Sequence, residues 1–102
     1  MKQFKDRVAV ITGAGSGIGR CLALQLAQRG CRLALADRDM AGLKVTAEGI
    51  AAIGAKCSLH ELDVSDREAM EAFAVDVINV HDQVHLLFNN AGVTLIDHIE
   101  SV

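Results

Sequence analysis

Arg7-Val-Ala-Val-Ile-Thr-Gly-Ala-Gly-Ser-Gly-Ile-Gly19 decides the reading of this chain. Its first half, Arg7 to Thr12, is a short apolar run closed by glycine, the composition of a buried strand. Its second half places glycine at 13, 15, 17 and 19, and from Ile18 the apolar residues take helical spacing. A glycine loop between a strand and a helix points the free N–H groups of the helix start past the edge of the sheet. Those N–H groups and the helix dipole suit a pyrophosphate. Glycine lets the backbone turn tightly and approach phosphates without a Cβ in the way. Gly19, on the first helical turn, lets the helix pack close to the strand.

Outward from the loop, the apolar period keeps switching between short runs and helical spacing. Ile18, Leu22 and Leu26 fall at i, i+4, i+8, with Cys21 and Leu24 beside them, and Gly30 stops the helix. Arg32 to Ala36 reads as a second strand ending at Asp37. Asp39 is placed to cap a second helix whose inner face carries Leu43, Ala47 and Ile50. Gly42 and Gly49 each weaken that helix by about 1 kcal/mol relative to alanine, and Gly54 ends it. Cys57 to Leu62 is a third strand. Ser65 and Glu68 have the spacing of a capping box, and the helix from Asp66 to about Val80 shows Met70, Phe73, Ala74 and Val77 on one face. Val84 to Phe88 is a fourth strand, and Asn89-Asn90-Ala91-Gly92 is a turn-rich stop. Residues 93–102 could begin another helix but receive no assigned element, so one edge of strand four is expected to stay open. Such alternation implies an α/β fold: a Rossmann-type, doubly wound parallel sheet, incomplete, with strand order 3-2-1-4 and helices on both faces. With no proline and no linker, residues 1–102 read as one domain, the N-terminal portion of a dinucleotide-binding unit.

Composition narrows the function. Apolar residues make up 51% of the 102 residues, charged residues 23%, and the net charge is −3. Lys and Arg are scattered and the three aromatics are all Phe, so the chain has neither the basic stripe nor the stacking row that nucleic acid requires. The apolar run after Arg7 is too short for a signal peptide or a membrane helix, which points to a cytoplasmic protein with no membrane partner. Cys21, Cys31 and Cys57 form no C-x-x-C pair and read as small buried thiols kept reduced. His81 and His85 are four apart but straddle a helix-to-strand break, and His60 and His98 have no partner spacing. No metal site is expected.

The loop does not follow G-x-G-x-x-G, which from Gly13 would need glycine where Ile18 stands. It follows T-G-x-x-x-G-x-G, through Thr12, Gly13, Gly17 and Gly19. Asp37 lies eighteen residues after Gly19 at the end of strand two, where an acid accepts hydrogen bonds from the adenosine ribose. In this pattern the chain resembles the short-chain dehydrogenase/reductase family. Two further features are similar to that family. Asp63-Val64 after strand three matches its pair that holds the adenine, and Asn89-Asn90-Ala91-Gly92 matches its N-N-A-G turn along the cofactor. The resemblance covers nearly the whole chain. It implies cofactor contacts from Gly13, Gly15, Ser16, Gly17, Ile18, Gly19, Asp37, Arg38, Asp63, Val64, Asn89, Asn90, Ala91 and Gly92. The cofactor expected is NAD rather than NADP. Asp37 opposes a 2′-phosphate, and Ser16 stands where NADP members commonly carry a basic residue; Arg38 argues the other way.

The resemblance also implies hydride transfer between nicotinamide and a carbonyl or alcohol, with a tyrosine, a lysine four residues on and a serine doing the proton chemistry. These lie well after N-N-A-G in the family. The chain stops ten residues after Gly92 and contains no tyrosine, so no catalytic residue is carried over. The substrate of a full-length parent is not legible, and a homo-oligomeric parent, joined through later helices, is what the family would suggest. The alternative is a non-catalytic dinucleotide-binding module or an inactive truncated product. A methyltransferase fits less well, because Thr12 precedes the glycines where that class prefers an acid. A phosphate-loop nucleotidase needs a Gly-Lys-Ser/Thr ending that is absent. The purified 102-residue chain is therefore expected to turn over no nicotinamide cofactor. Steady turnover that scales with its concentration and survives repurification would overturn that expectation.

Overall fold

The structure, a computed structural model, describes residues 5–63 and 65–81 in full, and the backbone of 83–89 and 92–100. The elements are β1 (Val8–Thr12), α1 (Gly17–Gln28), β2 (Arg32–Asp37), α2 (Met40–Ile53), β3 (Cys57–Glu61), α3 (Arg67–His81), β4 (Gln83–Asn89) and β5 (Gly92–Glu100). The sheet runs β3-β2-β1-β4-β5. The first four strands pair in parallel, with Val8 beside Arg32, Ala9 beside Leu86 and Asp37 beside Glu61. Level registers bring the carboxyl ends of β1, β2 and β3 to one edge.

The two faces of the sheet build separate cores, as the alternation of side chains along a strand requires. Ala9, Ile11, Leu33 and Leu35 face Ala23, Leu26 and Ala27 of α1 and Leu43 and Ile50 of α2. Val10, Ala34 and Ala36 face Phe73 and Val77 of α3, with Leu62. Right-handed crossovers dictate this split: two moves from β1 toward β3 leave their helices on one face, and the return to β4 leaves its helix on the other. Strands buried on both faces explain the near-continuous apolar runs.

Several local readings are corrected. The inward face of α1 is Ala23, Leu26 and Ala27, whereas Ile18 is 81% exposed. Ile18 stands in the first turn of α1, just after the loop that leaves the carboxyl end of β1, before the stretch of helix that packs on the sheet. On α2, Thr46 is buried with Leu43 and Ile50, while Ala47 is only half-buried. On α3, Ala74 is exposed. Asp66, not Ser65, caps α3: its Oδ1 accepts the Ala69 N–H at 3.1 Å. Ser65 is captured by Asp63 instead, donating its hydroxyl and its N–H to Oδ1 at 2.7 and 2.9 Å. An Asp two residues upstream offers a local turn that outcompetes the cap. Among the cysteines Cys31 is buried and Cys57 half-buried, but Cys21 is exposed; burial pushes the Cys31 and Cys57 thiols above their usual range. The outer edge of β4 is not open. β5 pairs with it antiparallel, Asn89 beside Gly92 and Gln83 beside Glu100. A segment with Val93, Leu95, Ile96 and Ile99 has the β-branched and apolar content to extend a sheet.

The glycines of α2 prove to be packing positions. A Cβ at Gly49 would press into Leu24 of α1, and one at Gly42 would overlap the Gly15 carbonyl. Asp39 caps this helix through the Gly42 N–H at 3.0 Å, and Gly54 ends it at φ 87°. Between β3 and α3, the Ser58 hydroxyl lies 2.8 Å from His60 Nε2 and 2.9 Å from His81 Nε2. The His60 ring also meets Phe73 edge-on at 4.9 Å. The separation of these histidines in sequence hid this meeting.

Two outcomes follow for stability. Leu35→Ala, at a fully buried position of the middle of the sheet, is expected to cost about 2–5 kcal/mol. It should appear as a lower denaturant midpoint at unchanged slope. Burial holds the His60 imidazole below its ordinary value of 6.5, with Asp76 partly opposing. A depressed histidine favours the deprotonated folded state, so its contribution is fully present above about pH 6.5 and declines as pH falls below it. His60→Gln is expected to flatten stability against pH over that window. An unchanged profile would show that His60 is not its source.

Candidate functional site

The loop leaves β1 at the carboxyl edge of the sheet. Ala14 donates to the Ala36 carbonyl at 3.1 Å, holding the loop against β2 two residues beyond the strand. Gly13 and Gly17 have φ of 69° and 56°, left-handed values that side chains resist. A Cβ on Gly19 would overlap the Gly13 carbonyl, so helix and loop touch only because Gly19 lacks one. Ser16, extended in backbone, precedes α1 but makes no side-chain cap, and no acidic residue stands in the first turn. The N–H groups at this helix start keep their affinity for an anion.

Asp37 closes the other side. Its Oδ2 accepts the Gly15 N–H at 2.9 Å and its Oδ1 accepts the Asp39 N–H at 3.1 Å. The carboxylate is half-buried, and it touches the loop directly. Arg38 reaches instead toward the end of β3. Its Nε is 3.9 Å from Asp63 Oδ2, a solvent-facing pair bridging the ends of β2 and β3. The Asp63 carboxyl is held below the usual carboxylate range, chiefly by the Ser65 hydroxyl and N–H, with Arg38 adding to the effect.

Gly13, Gly15, Ser16, Gly17, Ile18, Gly19, Asp37, Arg38 and Asp63 thus all stand at the carboxyl edge of β1 to β3. Val64, Asn90 and Ala91 lie outside the described residues, and Asn89 and Gly92 are placed by their backbone alone, as a paired couple joining β4 to β5. Sequence reasoning missed Arg20, Gly42 and Thr46, which hold the loop from behind. The Arg20 guanidinium donates to the carbonyls of Gly15 and Gly42 and to Thr46 Oγ1, the last at 2.9 Å. Thr46 Oγ1 lies 2.7 Å from the Ala14 carbonyl. The available signal was a threonine on the apolar face of α2, between Leu43 and Ile50. Among the described residues no group of His, Cys, Asp and Glu is arranged to hold a metal, and no helix is long and apolar enough to cross a membrane.

The chain is similar to known proteins in sequence and in fold. SadH of Mycobacterium tuberculosis (strain ATCC 25618 / H37Rv) is 48% identical over 93 residues, covering 91% of this chain and 34% of the relative. An NAD+-bound xylitol dehydrogenase superposes with a TM-score of 0.84 at 32% identity, over 88% of this chain and 35% of the other. A metagenomic short-chain oxidoreductase in complex with NADP superposes with a TM-score of 0.79 at 35% identity, over 82% and 38%. The chain therefore spans about a third of the length of each of these three proteins. A family model described as short chain dehydrogenase matches residues 7–102. Since that match opens with the run into β1 and takes in the glycine loop, Asp37 and all four parallel strands, the chain belongs to the short-chain dehydrogenase family.

Proposed function

We propose that this chain is the cofactor-binding portion of an oxidoreductase that moves hydride between a nicotinamide dinucleotide and a carbonyl or alcohol of a small molecule. The observation that carries the reading is the Asp37 carboxylate lodged against the Gly15 N–H at 2.9 Å. That contact sets a ribose-binding acid and a phosphate-binding loop side by side. Gly13, Gly15, Ser16, Gly17, Ile18 and Gly19 would hold the pyrophosphate through the loop and the start of α1. Asp37 would accept from the ribose hydroxyls, Asp63 and Val64 would border the adenine, and Asn89 to Gly92 would lie along the cofactor. When bound, the nicotinamide supplies or accepts the hydride. The described residues contribute binding and orientation, and residues 1–102 form one unit for that purpose.

NAD is the better fit of the two dinucleotides. A 2′-phosphate placed about 4 Å from Asp37 would be repelled by roughly 4 kcal/mol at an effective dielectric of 20. Arg38, the residue able to offset this, is turned toward Asp63. The similar solved structures include both an NAD+ complex and an NADP complex, so the choice rests on Asp37 and Arg38. In the full-length protein, Asp37→Ala is expected to weaken NADH binding about ten- to a hundredfold, from lost charge-assisted bonds of about 1.5–3 kcal/mol each. Asp37→Asn keeps the shape and an acceptor while removing the charge, and should narrow the preference for NADH over NADPH. Titration of both dinucleotides against the three proteins checks this. A preference unchanged in both variants would remove Asp37 from the ribose.

A further inference from the structure

We infer that Arg20 and Thr46 are positioning residues that set the orientation of the two peptide groups at the turn of the phosphate-binding loop. The inference rests on the dinucleotide reading above and concerns residues that reading does not use.

The Ala14–Gly15 peptide is fixed at both ends. Its carbonyl accepts from Thr46 Oγ1 at 2.7 Å, and its N–H donates to Asp37 Oδ2 at 2.9 Å. A planar trans peptide holds C=O and N–H on opposite sides, so one hydrogen bond from α2 and one to β2 leave this unit no rotation. The next peptide, Gly15–Ser16, has its carbonyl on Arg20. Its Ser16 N–H therefore points away from Arg20, out of the α1–α2 side of the loop. Without Arg20 nothing in the described structure holds that carbonyl. Glycine at 15 leaves the peptide free to rotate, and a rotated unit would present an oxygen where an anion needs a donor.

Arg20 is suited to this task by shape as well as charge. One planar guanidinium donates from Nη2 to the carbonyls of Gly15 and Gly42 and from Nε to Thr46 Oγ1. It thus ties the loop, its own helix α1 and the first turns of α2 together, a fork that a lysine ammonium does not reproduce. Thr46 is 1% exposed. Its hydroxyl accepts from Arg20 and stands within reach of two carbonyls, Ala14 at 2.7 Å and Gly42 at 3.2 Å. The single hydroxyl proton serves the nearer one. Gly42 allows the approach, since a Cβ there would overlap the Gly15 carbonyl.

The lock acts on the face toward phosphate, so its loss should fall on ligands that carry a phosphate. In the full-length protein, Arg20→Met, Arg20→Lys, Thr46→Val and Thr46→Ser are compared with wild type by NADH fluorescence titration and by displacement of NADH with adenosine. Arg20→Met and Thr46→Val are expected to raise the NADH dissociation constant tenfold or more while that of adenosine changes less than threefold. Thr46→Ser, which keeps the hydroxyl, should stay near wild type, and Arg20→Lys should recover little. If Arg20→Met does not fold, the Thr46→Val and Thr46→Ser pair decides on the same criteria. NADH affinity within twofold of wild type in Thr46→Val and in a folded Arg20→Met overturns the inference. So does an equal loss for adenosine and NADH, the mark of a general structural role, or full recovery by Arg20→Lys. A wild-type protein that binds no NADH overturns the dinucleotide reading itself, which distinguishes the two failures.

Discussion

The hydrogen bond from the Gly15 N–H to Asp37 Oδ2, 2.9 Å long, is the joint on which the candidate site depends. It lets one carboxylate at the end of β2 define where the loop after β1 stands. Because the β1 and β2 registers are level, with Thr12 beside Ala36, the last residue of β2, Asp37, meets the loop that leaves β1. The parallel sheet is thus more than a support. Its registry decides that an acid at the end of one strand reaches the backbone just beyond the next. The glycines make that meeting tight, since a Cβ on Gly15 would sit 2.8 Å from the same carboxylate oxygen.

Among the described residues the two cores are unequal. The α1–α2 face is the larger there, closes over Leu33, Leu35 and Ile11, carries the loop with it through the Gly42 contact and holds α1 through the Gly49 contact. Helix α2 gives up intrinsic helical stability at these two glycines, about 1 kcal/mol each relative to alanine, and in return α1 and the loop come within contact distance. The α3 face is built from smaller strand residues, Val10, Ala34 and Ala36, with Phe73 as its largest partner. Its polar fringe at Ser58, His60 and His81 fills what apolar side chains do not.

Much of this was legible from the chain alone, and for identifiable reasons. Short apolar runs closed by glycine or aspartate marked β1 and β2, because strands buried on both faces admit little else. Asp39 and Gly54 announced the ends of α2 through capping chemistry that acts over three residues. What failed needed distance. Ser65 and Glu68 had capping spacing, but Asp63 two residues earlier took the serine hydroxyl. Ile18 had the right period for α1 and still faces outward, since period fixes a stripe and not where the sheet ends beneath it. Arg20 and Thr46 were invisible because their meaning lies 26 residues apart. His60 and His81 are brought together by one serine across β3 and α3, a contact that no spacing rule anticipates.

That shared serine has a consequence of its own. A hydroxyl owns one proton, yet Ser58 Oγ lies within hydrogen-bond distance of two imidazole nitrogens, both Nε2. It can donate to one ring at most, so at least one ring carries its proton on Nε2 and donates to the oxygen. When the hydroxyl proton serves one of the rings, the two rings hold complementary tautomers. Reversing one requires turning the hydroxyl and reversing the other in the same event. Residues on a strand and on the last turn of a helix, far apart along the chain, in this way share a single bit of proton information.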